Sequence, residues 1–317
     1  MSEPPAVAGG LILFIRRDLS WKGNRPLPQA VSDWRYNLKL LVTGGSGYLG
    51  THVRRFFNAD DLSRRSHLDV LNPDEAAMVA HYEAVIHLAA YSSKNPANAE
   101  NCFRTNVEGT TNLLRQMPPN SVFIFASSKD VYGAHADDYT EVPESCGTEF
   151  SGQSPLEWSK LIAERYVEYY AAQRNFRACI FRLSNVYARP SEGNESGFVT
   201  HYVESVKRGQ PIRLPLEGRP VRDILHVDDF SRACRAFIDS AVTRRLYNLG
   251  GGRDNATSLR EIIDKVAEII QCSPVIDENA PLPTPVPLNY ISDLTRVHEE
   301  LGWQPQIGIE EGLRSLI

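Results

Sequence analysis

The sequence predicts an α/β fold built on a doubly wound parallel sheet. From Leu38 to Tyr187, short apolar runs alternate with longer amphipathic stretches, and this alternation of strands and helices is typical of such sheets. A glycine-rich turn also follows the first apolar run directly. Ligands of these sheets lie beyond the carboxyl ends of the strands, so we expect the site residues where the apolar runs end.

The first unit of this pattern is a strand, a turn and a helix. The strand is the apolar run Leu38–Val42, and the segment TGGSGYLGTHVRRFF follows it. Apolar residues at helical spacing predict that one face of the helix carries Leu49, Val53, Phe56 and Phe57.

Three glycines in this turn predict dinucleotide binding. Gly44, Gly47 and Gly50 have the spacing G-x-x-G-x-x-G. Residues without a Cβ atom permit a tight turn, the approach of a pyrophosphate to the backbone, and close contact of helix and strand. The amino terminus of the following helix attracts phosphate through its free N–H groups and partial positive charge. Between a strand and an amphipathic helix, the motif favours a dinucleotide site over a merely tight turn.

The later elements continue the alternation. Strands are predicted at Ala84–Ala90, Ser121–Ser128 and Arg177–Tyr187. Helices are predicted at 106–117 and from Ser154 onward. Near the carboxyl end, Ser258 and Glu261 have the spacing of a helix capping box.

Composition excludes several classes of function. The net charge is −5 and the isoelectric point is about 5.9, with no block of Lys and Arg, so a nucleic-acid partner is not expected. No apolar run is long enough to span a membrane. The five cysteines lie far apart without a CxxC pair, which predicts reduced thiols, a cytoplasmic location and no metal site.

The order of motifs resembles the extended short-chain dehydrogenase/reductase family, and within it the nucleotide-sugar (NAD-dependent) epimerase/dehydratase group. The motifs are TGGSGYLG, HLAA, NVEGTTNLL, SSKDVYG, a helix with a lysine, RLSNVY, GRPVRDILHVDD and LGWQP. The resemblance covers roughly residues 38–317. It implies a Rossmann-type sheet with a smaller carboxyl-terminal substrate-binding subdomain, an NAD(P) cofactor and a nucleotide-diphosphate sugar as substrate.

The resemblance divides the chain into three parts. Residues 1–36 are an extension before the fold, predicted to be partly disordered and given no function. Residues 37–183 are the dinucleotide-binding core, and 184–317 are a mixed substrate-binding subdomain with a returning strand and helix that complete the core. The cofactor is expected to contact Gly44, Gly47, Tyr48, Leu49, Gly50, Arg64, Leu88, Ala89, Ala90, Asn106 and Lys160.

The resemblance places substrate contacts at Asn185 and Arg222. For Arg222 the physical case is a guanidinium fork that faces phosphate oxygens. The competing interpretation is a structural salt bridge from Arg222 to Asp223 or Asp228.

The preference between NAD and NADP depends on the tip of the second strand. An acidic residue there binds the adenosine ribose of NAD, whereas arginine pairs with the 2′-phosphate of NADP. Asp60 and Asp61 precede the tip, while Arg64 and Arg65 lie at it or after it. We predict NADP from these arginines; the alternative is that both face solvent.

The expected catalytic tyrosine is missing. In the family a tyrosine moves the proton, a lysine four residues later binds the nicotinamide ribose, and a serine binds the substrate oxygen. Ser128 and Lys160 are in register for the last two roles, but Leu156 occupies the tyrosine position. The next tyrosine on the helix, Tyr166, points to another side and is predicted to have a structural role.

Asp130 is the predicted replacement for the tyrosine, assisted by Ser128. An apolar wall at Leu156 is expected to raise the pKa of Asp130 toward the working range. The other donors near strand ends are Tyr91, Lys94, Lys129 and Tyr132.

Two functions are open at this point. The first is an NAD(P)-dependent epimerase or dehydratase that oxidises its sugar transiently. The second is a non-catalytic member that binds NAD(P) or a nucleotide sugar as a sensor or partner protein. A plain reductase of another carbonyl compound is a further alternative.

A homodimer is also predicted, because the family pairs two helices of each subunit into a four-helix bundle. The corresponding helices are 98–117 and 156–173. They carry more apolar residues than one sheet face needs, namely Leu113, Leu114, Leu161, Ile162, Val167 and Tyr170.

Overall fold

A computed structural model describes residues 38–190, 197–277 and 286–317 of the chain. Its strands are β1 (Leu40–Thr43), β2 (Asp60–Leu62), β3 (Ala84–His87), β4 (Val122–Ser128), β5 (Arg177–Leu183), β6 (Asn185–Tyr187), β7 (Ile212–Arg213), β8 (Val221–His226), β9 (Arg244–Leu249), β10 (Ala256–Ser258) and β11 (Ile276–Asp277). The predicted extension at 1–36 lies outside the described residues.

The α-helices connect these strands. They are α1 (Gly50–Phe57), α2 (Pro73–Ala76), α3 (Ala99–Phe103), α4 (Thr110–Leu114), α5 (Pro155–Arg174), α6 (Phe198–Arg208), α7 (Val227–Asp239), α8 (Leu259–Ile270), α9 (Thr295–Leu301) and α10 (Ile309–Ser315). A π-helical segment, Arg104–Gly109, joins α3 to α4. The predicted helix at 106–117 is therefore wrong in two respects: helical structure begins earlier, at Ala99, and it is not α-helical throughout.

The central sheet has six parallel strands in the order β2-β1-β3-β4-β5-β9. Its order runs outward from β1 in both directions, which is the doubly wound arrangement. The predicted α/β fold with a Rossmann-type parallel sheet is therefore confirmed.

A second, three-stranded sheet has the order β10-β8-β6. The predicted strand Arg177–Tyr187 is wrong in its continuity, because the chain leaves the central sheet at Ser184. The Ser184 hydroxyl donates to the Asp223 carbonyl oxygen at 2.8 Å, and its N–H donates to Leu249 at 2.8 Å. The division into two domains at 183 and 184 stays a prediction.

Two other predicted segments differ in extent. The strand expected at Ala84–Ala90 ends at His87, and the next three residues form loop. On α1, Val53 is buried, but Phe56 is exposed and does not share the buried face. The helix ends at Phe57, and its C-cap residue Asn58 has a left-handed conformation.

Much of the core lies between the central sheet and α4 and α5. Leu113, Leu114 and Val167 are fully buried there, and Leu161 belongs to a smaller cluster with Tyr132 and Tyr290. These four leucine and valine side chains therefore support their own subunit, and the dimer prediction is wrong in assigning them to a partner. The exposed apolar side chains near this region are instead Phe103, Phe150, Trp158, Ile162, Tyr166 and Tyr169.

No helix in the described part of the chain is both long and apolar enough to cross a membrane. Among the same residues, no group of three or more His, Cys, Asp or Glu side chains is arranged to hold a metal ion.

Candidate active site

The glycine-rich turn is built as its spacing predicts. Gly44 has a φ of +68°, and a Cβ atom on it would lie 2.8 Å from the Ala89 nitrogen at the end of β3. A Cβ atom on Gly50 would lie 2.0 Å from the Gly44 carbonyl oxygen. Gly47 differs, because an added Cβ would meet only the Gly44 oxygen, at 3.1 Å. Gly44 and Gly50 therefore serve the turn itself, while Gly47 has space beside it.

A cleft of about 460 Å³ opens beside this turn. Its walls come from the turn, from the tip after β2 and from the loop after β3. Most of the predicted cofactor residues line it: Gly44, Gly47, Tyr48, Leu49, Gly50, Arg64, Leu88, Ala89 and Ala90. The cleft thus lies at the carboxyl ends of the strands, where a dinucleotide binds in this fold.

The arginines of the tip after β2 line the cleft, whereas the two aspartates of β2 do not; the Asp61 carboxylate lies against Gly45 of the glycine-rich turn. Arg64 and Arg65 both line the cleft, and Arg65 Nη1 donates to the Ser46 carbonyl oxygen at 3.3 Å. The Asp60 carboxylate accepts from Tyr82 at 2.8 Å. Asp61 accepts from the Ser63 hydroxyl at 2.8 Å, and its second oxygen is buried without a hydrogen-bond partner among the described residues.

Asn106 does not line the cleft. Its side-chain oxygen accepts from the Tyr91 N–H at 2.8 Å, and its Nδ2 donates to the Tyr91 carbonyl at 3.2 Å and to Ser159 Oγ at 2.8 Å. The amide is buried and ties the loop after β3 to α5. The predicted contact of Asn106 with the cofactor stays a prediction, and its observed role is to join these two elements.

Lys160 lies directly behind the cleft wall. Its Nζ donates to the carbonyl oxygen of Ala126 at 2.8 Å, and Ala126 itself lines the cleft. The ammonium group also lies 4.8 Å from the centre of the Phe125 ring. Burial lowers the pKa of Lys160 to about 8, although the nearby Glu164 carboxylate acts in the opposite direction.

Ser128 and Asp130 meet at the end of β4, but Asp130 is not in the predicted state. Ser128 Oγ accepts from the Asp130 N–H at 3.1 Å. The Asp130 carboxylate contacts Lys129 Nζ through one oxygen and Lys94 Nζ, at 2.6 Å, through the other. Burial favours the protonated acid, yet the two lysine charges and hydrogen bonds outweigh it and hold the pKa of Asp130 well below its usual range. The expected increase in this pKa is therefore wrong.

Two residues of the site were missed or undervalued by the sequence argument. Lys94 also lies 3.3 Å from Glu157 Oε1, so it bridges two acidic groups. Glu157 is buried in the first turn of α5, where its other oxygen accepts from the Ser154 N–H at 2.7 Å. The spacing of Ser154 and Glu157 is that of a capping box, and this signal was present in the sequence.

The remaining proton donors are less suited to the missing role. The Tyr132 hydroxyl donates to Asn248 Oδ1 at 2.6 Å, and burial raises the pKa of Tyr132 to about 12. Tyr166 is exposed on the far side of α5, with its ring stacked on Tyr170. Leu156 is half-buried, one turn of α5 before Lys160, and so the two side chains share a face of the helix.

The two predicted substrate residues differ in how their polar groups are used. Asn185 Nδ2 is buried without a hydrogen-bond partner among the described residues. Arg222 Nη1 and Nη2 donate to the backbone carbonyls of Val221, Pro287 and Leu288 at 2.6–3.0 Å. Within the described ranges Arg222 forms no ion pair, so the alternative salt bridge to Asp223 or Asp228 is absent.

A family model and a sequence relative place this chain in the same family. A sequence model described as the NAD dependent epimerase/dehydratase family matches residues 40–250. A dTDP-glucose 4,6-dehydratase of Mycobacterium tuberculosis is 30% identical to this chain, over 88% of this chain and 92% of the relative.

Two solved structures are similar in fold. The structure of MoeE5 in complex with UDP-glucuronic acid and NAD superposes with a TM-score of 0.76, at 23% identity, covering 87% of this chain and 97% of that one. The structure of RMD from Pseudomonas aeruginosa complexed with NADPH also has a TM-score of 0.76, at 24% identity, covering 88% and 96%. One of these neighbours is described with NAD and the other with NADPH.

Proposed function

Because this chain belongs to the NAD dependent epimerase/dehydratase family, we propose that it oxidises a nucleoside-diphosphate sugar transiently and then epimerises or dehydrates it. The observation that carries the proposal is the convergence of the cleft, Lys160 and Ser128 at the carboxyl ends of β1, β3 and β4. Lys160 serves cofactor binding in either candidate, and Ser128 beside it supports the catalytic one.

The residues of the cleft fit a nicotinamide dinucleotide. Gly47 leaves space for a pyrophosphate beside the amino terminus of α1. Arg64 and Arg65 both line this cleft, and a guanidinium group pairs well with a 2′-phosphate, which supports a preference for NADP. When bound, the cofactor accepts and returns a hydride. Lys160 holds the ribose next to Ala126, and Ser128 holds the sugar oxygen.

The proton step falls to Asp130 as a base. Two lysines keep its carboxylate charged near neutral pH, so it can accept a proton but has none to donate. Leu156 is half-buried on the face of α5 that it shares with Lys160, and it cannot titrate.

The substrate side of the proposal uses Asn185 and Arg222. Asn185 offers a buried amide donor that no described residue uses. Arg222 is fixed by three carbonyls, which leaves Nε as the guanidinium nitrogen without a hydrogen bond to a described residue. We propose that these two groups meet the diphosphate or the sugar.

The proposal also includes a homodimer. Trp158, Ile162 and Tyr166 follow one another at intervals of four residues on α5, with Tyr169 one turn further and Phe103 exposed on α3. This spacing gives one continuous apolar strip along the helix, which suits pairing with the same strip of a second copy. Cytoplasmic localisation stays a prediction from composition.

The second candidate is a non-catalytic binding protein. Leu156 removes the usual acid, and the double ion pair of Asp130 makes this carboxylate a weak base. Both observations favour a protein that keeps its ligands but not its turnover.

One panel experiment separates these two candidates. UDP-, dTDP-, GDP- and CDP-sugars are incubated with the protein and either NAD or NADP, and products are identified by mass spectrometry. Turnover by the wild type supports the enzyme, and Asp130→Asn should reduce the rate by about 10²-fold or more while cofactor binding is retained. Asp138→Asn, an exposed aspartate of the same segment, is the matched control.

The opposite result is equally informative. If the wild type converts no sugar and Leu156→Tyr alone creates activity, the protein is a binding member that has lost its acid. If Asp130→Asn is as active as the wild type, Asp130 is not the base.

A further inference from the structure

Lys94 joins three segments that border the active site. It belongs to the loop after β3, and its Nζ lies 2.6 Å from Asp130 Oδ2 at the end of β4. The same nitrogen lies 3.3 Å from Glu157 Oε1 in the first turn of α5. These three segments are distant in sequence, and the Lys94 side chain links all three.

Glu157 depends on Lys94 for its charge balance. The Glu157 side chain is buried, and its Oε2 is used by the Ser154 cap of α5. Its Oε1 has no other hydrogen-bond partner among the described residues. A buried carboxylate without a cation is unfavourable, so the ion pair with Lys94 is expected to stabilise this turn of the helix, in addition to the capping hydrogen bonds from Ser154.

Asp130 lies between two ammonium groups of different accessibility. Lys129, adjacent in sequence, is buried and lies 5.1 Å from the Tyr290 ring centre. Lys94 comes from the opposite side with 57% of its side chain exposed. The Arg222 guanidinium of β8 adds a third positive charge near this pair. Of the two lysines in contact with Asp130, Lys94 is therefore the one that a bound substrate can reach.

We infer that Lys94 is a positioning residue that keeps Asp130 charged, fastens the loop after β3 to the turn of α5 that carries Leu156, and controls when Asp130 becomes basic. A substrate oxygen that draws the Lys94 ammonium away removes one of the two cations on Asp130. The carboxylate then binds a proton more readily at the moment when substrate is present. This inference rests on the proposed role of Asp130 as the base.

The inference is tested by following the Asp130 carboxyl carbon by NMR as pH is lowered. The signal is assigned by its loss in Asp130→Asn. In Lys94→Met we expect the titration of Asp130 to move upward by at least about one pH unit relative to the wild type, because an adjacent opposite charge shifts a carboxyl by roughly one to three units. Lys94→Arg keeps the positive charge, so Asp130 should titrate at the same pH in this variant as in the wild type.

A second pair of variants separates the electrostatic effect from a structural one. Lys129→Met removes the other cation from Asp130 but leaves Glu157 paired, so it should shift Asp130 without increasing amide hydrogen exchange at residues 154–158. Lys94→Met should do both. Lys94→Met combined with Glu157→Gln removes the unpaired carboxylate, and it should restore slow exchange while the upward shift of Asp130 remains.

The inference is overturned if Asp130 titrates identically in the wild type and in Lys94→Met across the pH range of the folded protein. It is also overturned if the shift disappears in the double variant, since the effect would then come from distortion at Glu157. None of these measurements needs substrate or turnover. An inactive protein with the expected titration would therefore refute the proposed function and the control of catalysis by Lys94, and leave its electrostatic and positioning roles intact.

Discussion

The hydroxyl of Tyr48 lies 2.8 Å from the amide nitrogen of Ala188 and 2.9 Å from the carbonyl oxygen of the same residue. It also lies 2.8 Å from Thr200 Oγ1. Burial raises the pKa of Tyr48, so the group stays a neutral hydroxyl. One side chain of the glycine-rich turn thereby connects the cofactor cleft to the segment after β6 and to α6.

Removing this hydroxyl should destabilise the protein. Tyr48→Phe leaves the Ala188 N–H without its acceptor, and an unsatisfied buried group costs about 1–3 kcal/mol. We expect a decrease of that size in the free energy of unfolding, measured with urea. Tyr139→Phe is the control, because Tyr139 is exposed. Equal stability of the two variants would show that the Tyr48 contacts are dispensable.

Substitutions at two glycines of the turn should affect cofactor affinity and thermal stability differently. Gly47→Val places a branched side chain at the cleft, and we expect cofactor affinity to be lost with a smaller loss of thermal stability than in Gly50→Ala, because the added Cβ lies 3.1 Å from the Gly44 oxygen. Gly50→Ala places a Cβ atom against the Gly44 oxygen, and we expect a clear loss of thermal stability. Calorimetry and thermal melting measure the two effects. Unchanged affinity in Gly47→Val would contradict the cofactor site.

The arginines at the tip after β2 should decide the choice of cofactor. Loss of a charge-assisted phosphate contact costs about 1.5–3 kcal/mol, or roughly ten- to a hundredfold in affinity. Arg64→Ala and Arg65→Ala should therefore weaken NADP binding by that factor and leave NAD binding almost unchanged. An unaltered ratio of the two affinities in both variants would mean that the arginines face solvent.

The buried ammonium of Lys160 should make stability depend on pH. Its pKa in the folded protein is about 8, below the ordinary value of 10.5. Between these values the unfolded chain binds a proton that the folded protein has released, so the free energy of unfolding rises with pH from 8 to 10.5. The stabilisation is complete above 10.5 and is lost as pH falls through 8.

Lys160→Met should abolish this dependence. We expect the free energy of unfolding of the wild type, relative to the variant, to increase between pH 8 and pH 10 in the absence of cofactor. Urea unfolding at several pH values measures it. Parallel curves for the two proteins would show that Lys160 keeps an ordinary pKa.

The strip of exposed apolar residues on α5 should hold the dimer together. Tyr166→Asp introduces a charge at its middle and should give a monomer by light scattering at micromolar concentration. Phe56→Asp is matched in exposure, at 44% against 42%, but lies on α1 and should remain dimeric. A monomeric wild type would refute the dimer outright.

The parts of the fold that follow local periodicity could be predicted from the sequence. The glycine turn, the parallel strands and the capping box of Ser258 and Glu261 are all present as expected. The switch at Ser184 could not be predicted, because apolar residues continue on both sides of it. Its cause is the Asp223 carboxyl and carbonyl groups, which belong to a distant strand.

The candidate site was predictable in position but not in charge state. Ser128, Asp130 and the cleft residues could be predicted because they lie at the carboxyl ends of predicted strands. The state of Asp130 depends on Lys94, which approaches from another strand end, and no spacing in the sequence encodes that approach. Desolvation by Leu156 alone predicts an increase in the pKa of Asp130, whereas the two lysines lower this pKa.

Asp223 places a condition on how the chain can be synthesised and folded. Its fully buried carboxylate accepts from Ser184 Oγ, from the Gly252 N–H at 3.2 Å and from the Ser292 N–H at 2.9 Å. A nascent chain that has not yet emerged beyond residue 292 lacks the last donor, and the carboxylate cannot be buried at low cost. We therefore expect the switch of sheets at Ser184 to be completed late, after most of the polypeptide has left the ribosome, whereas the central strands before it can pair earlier.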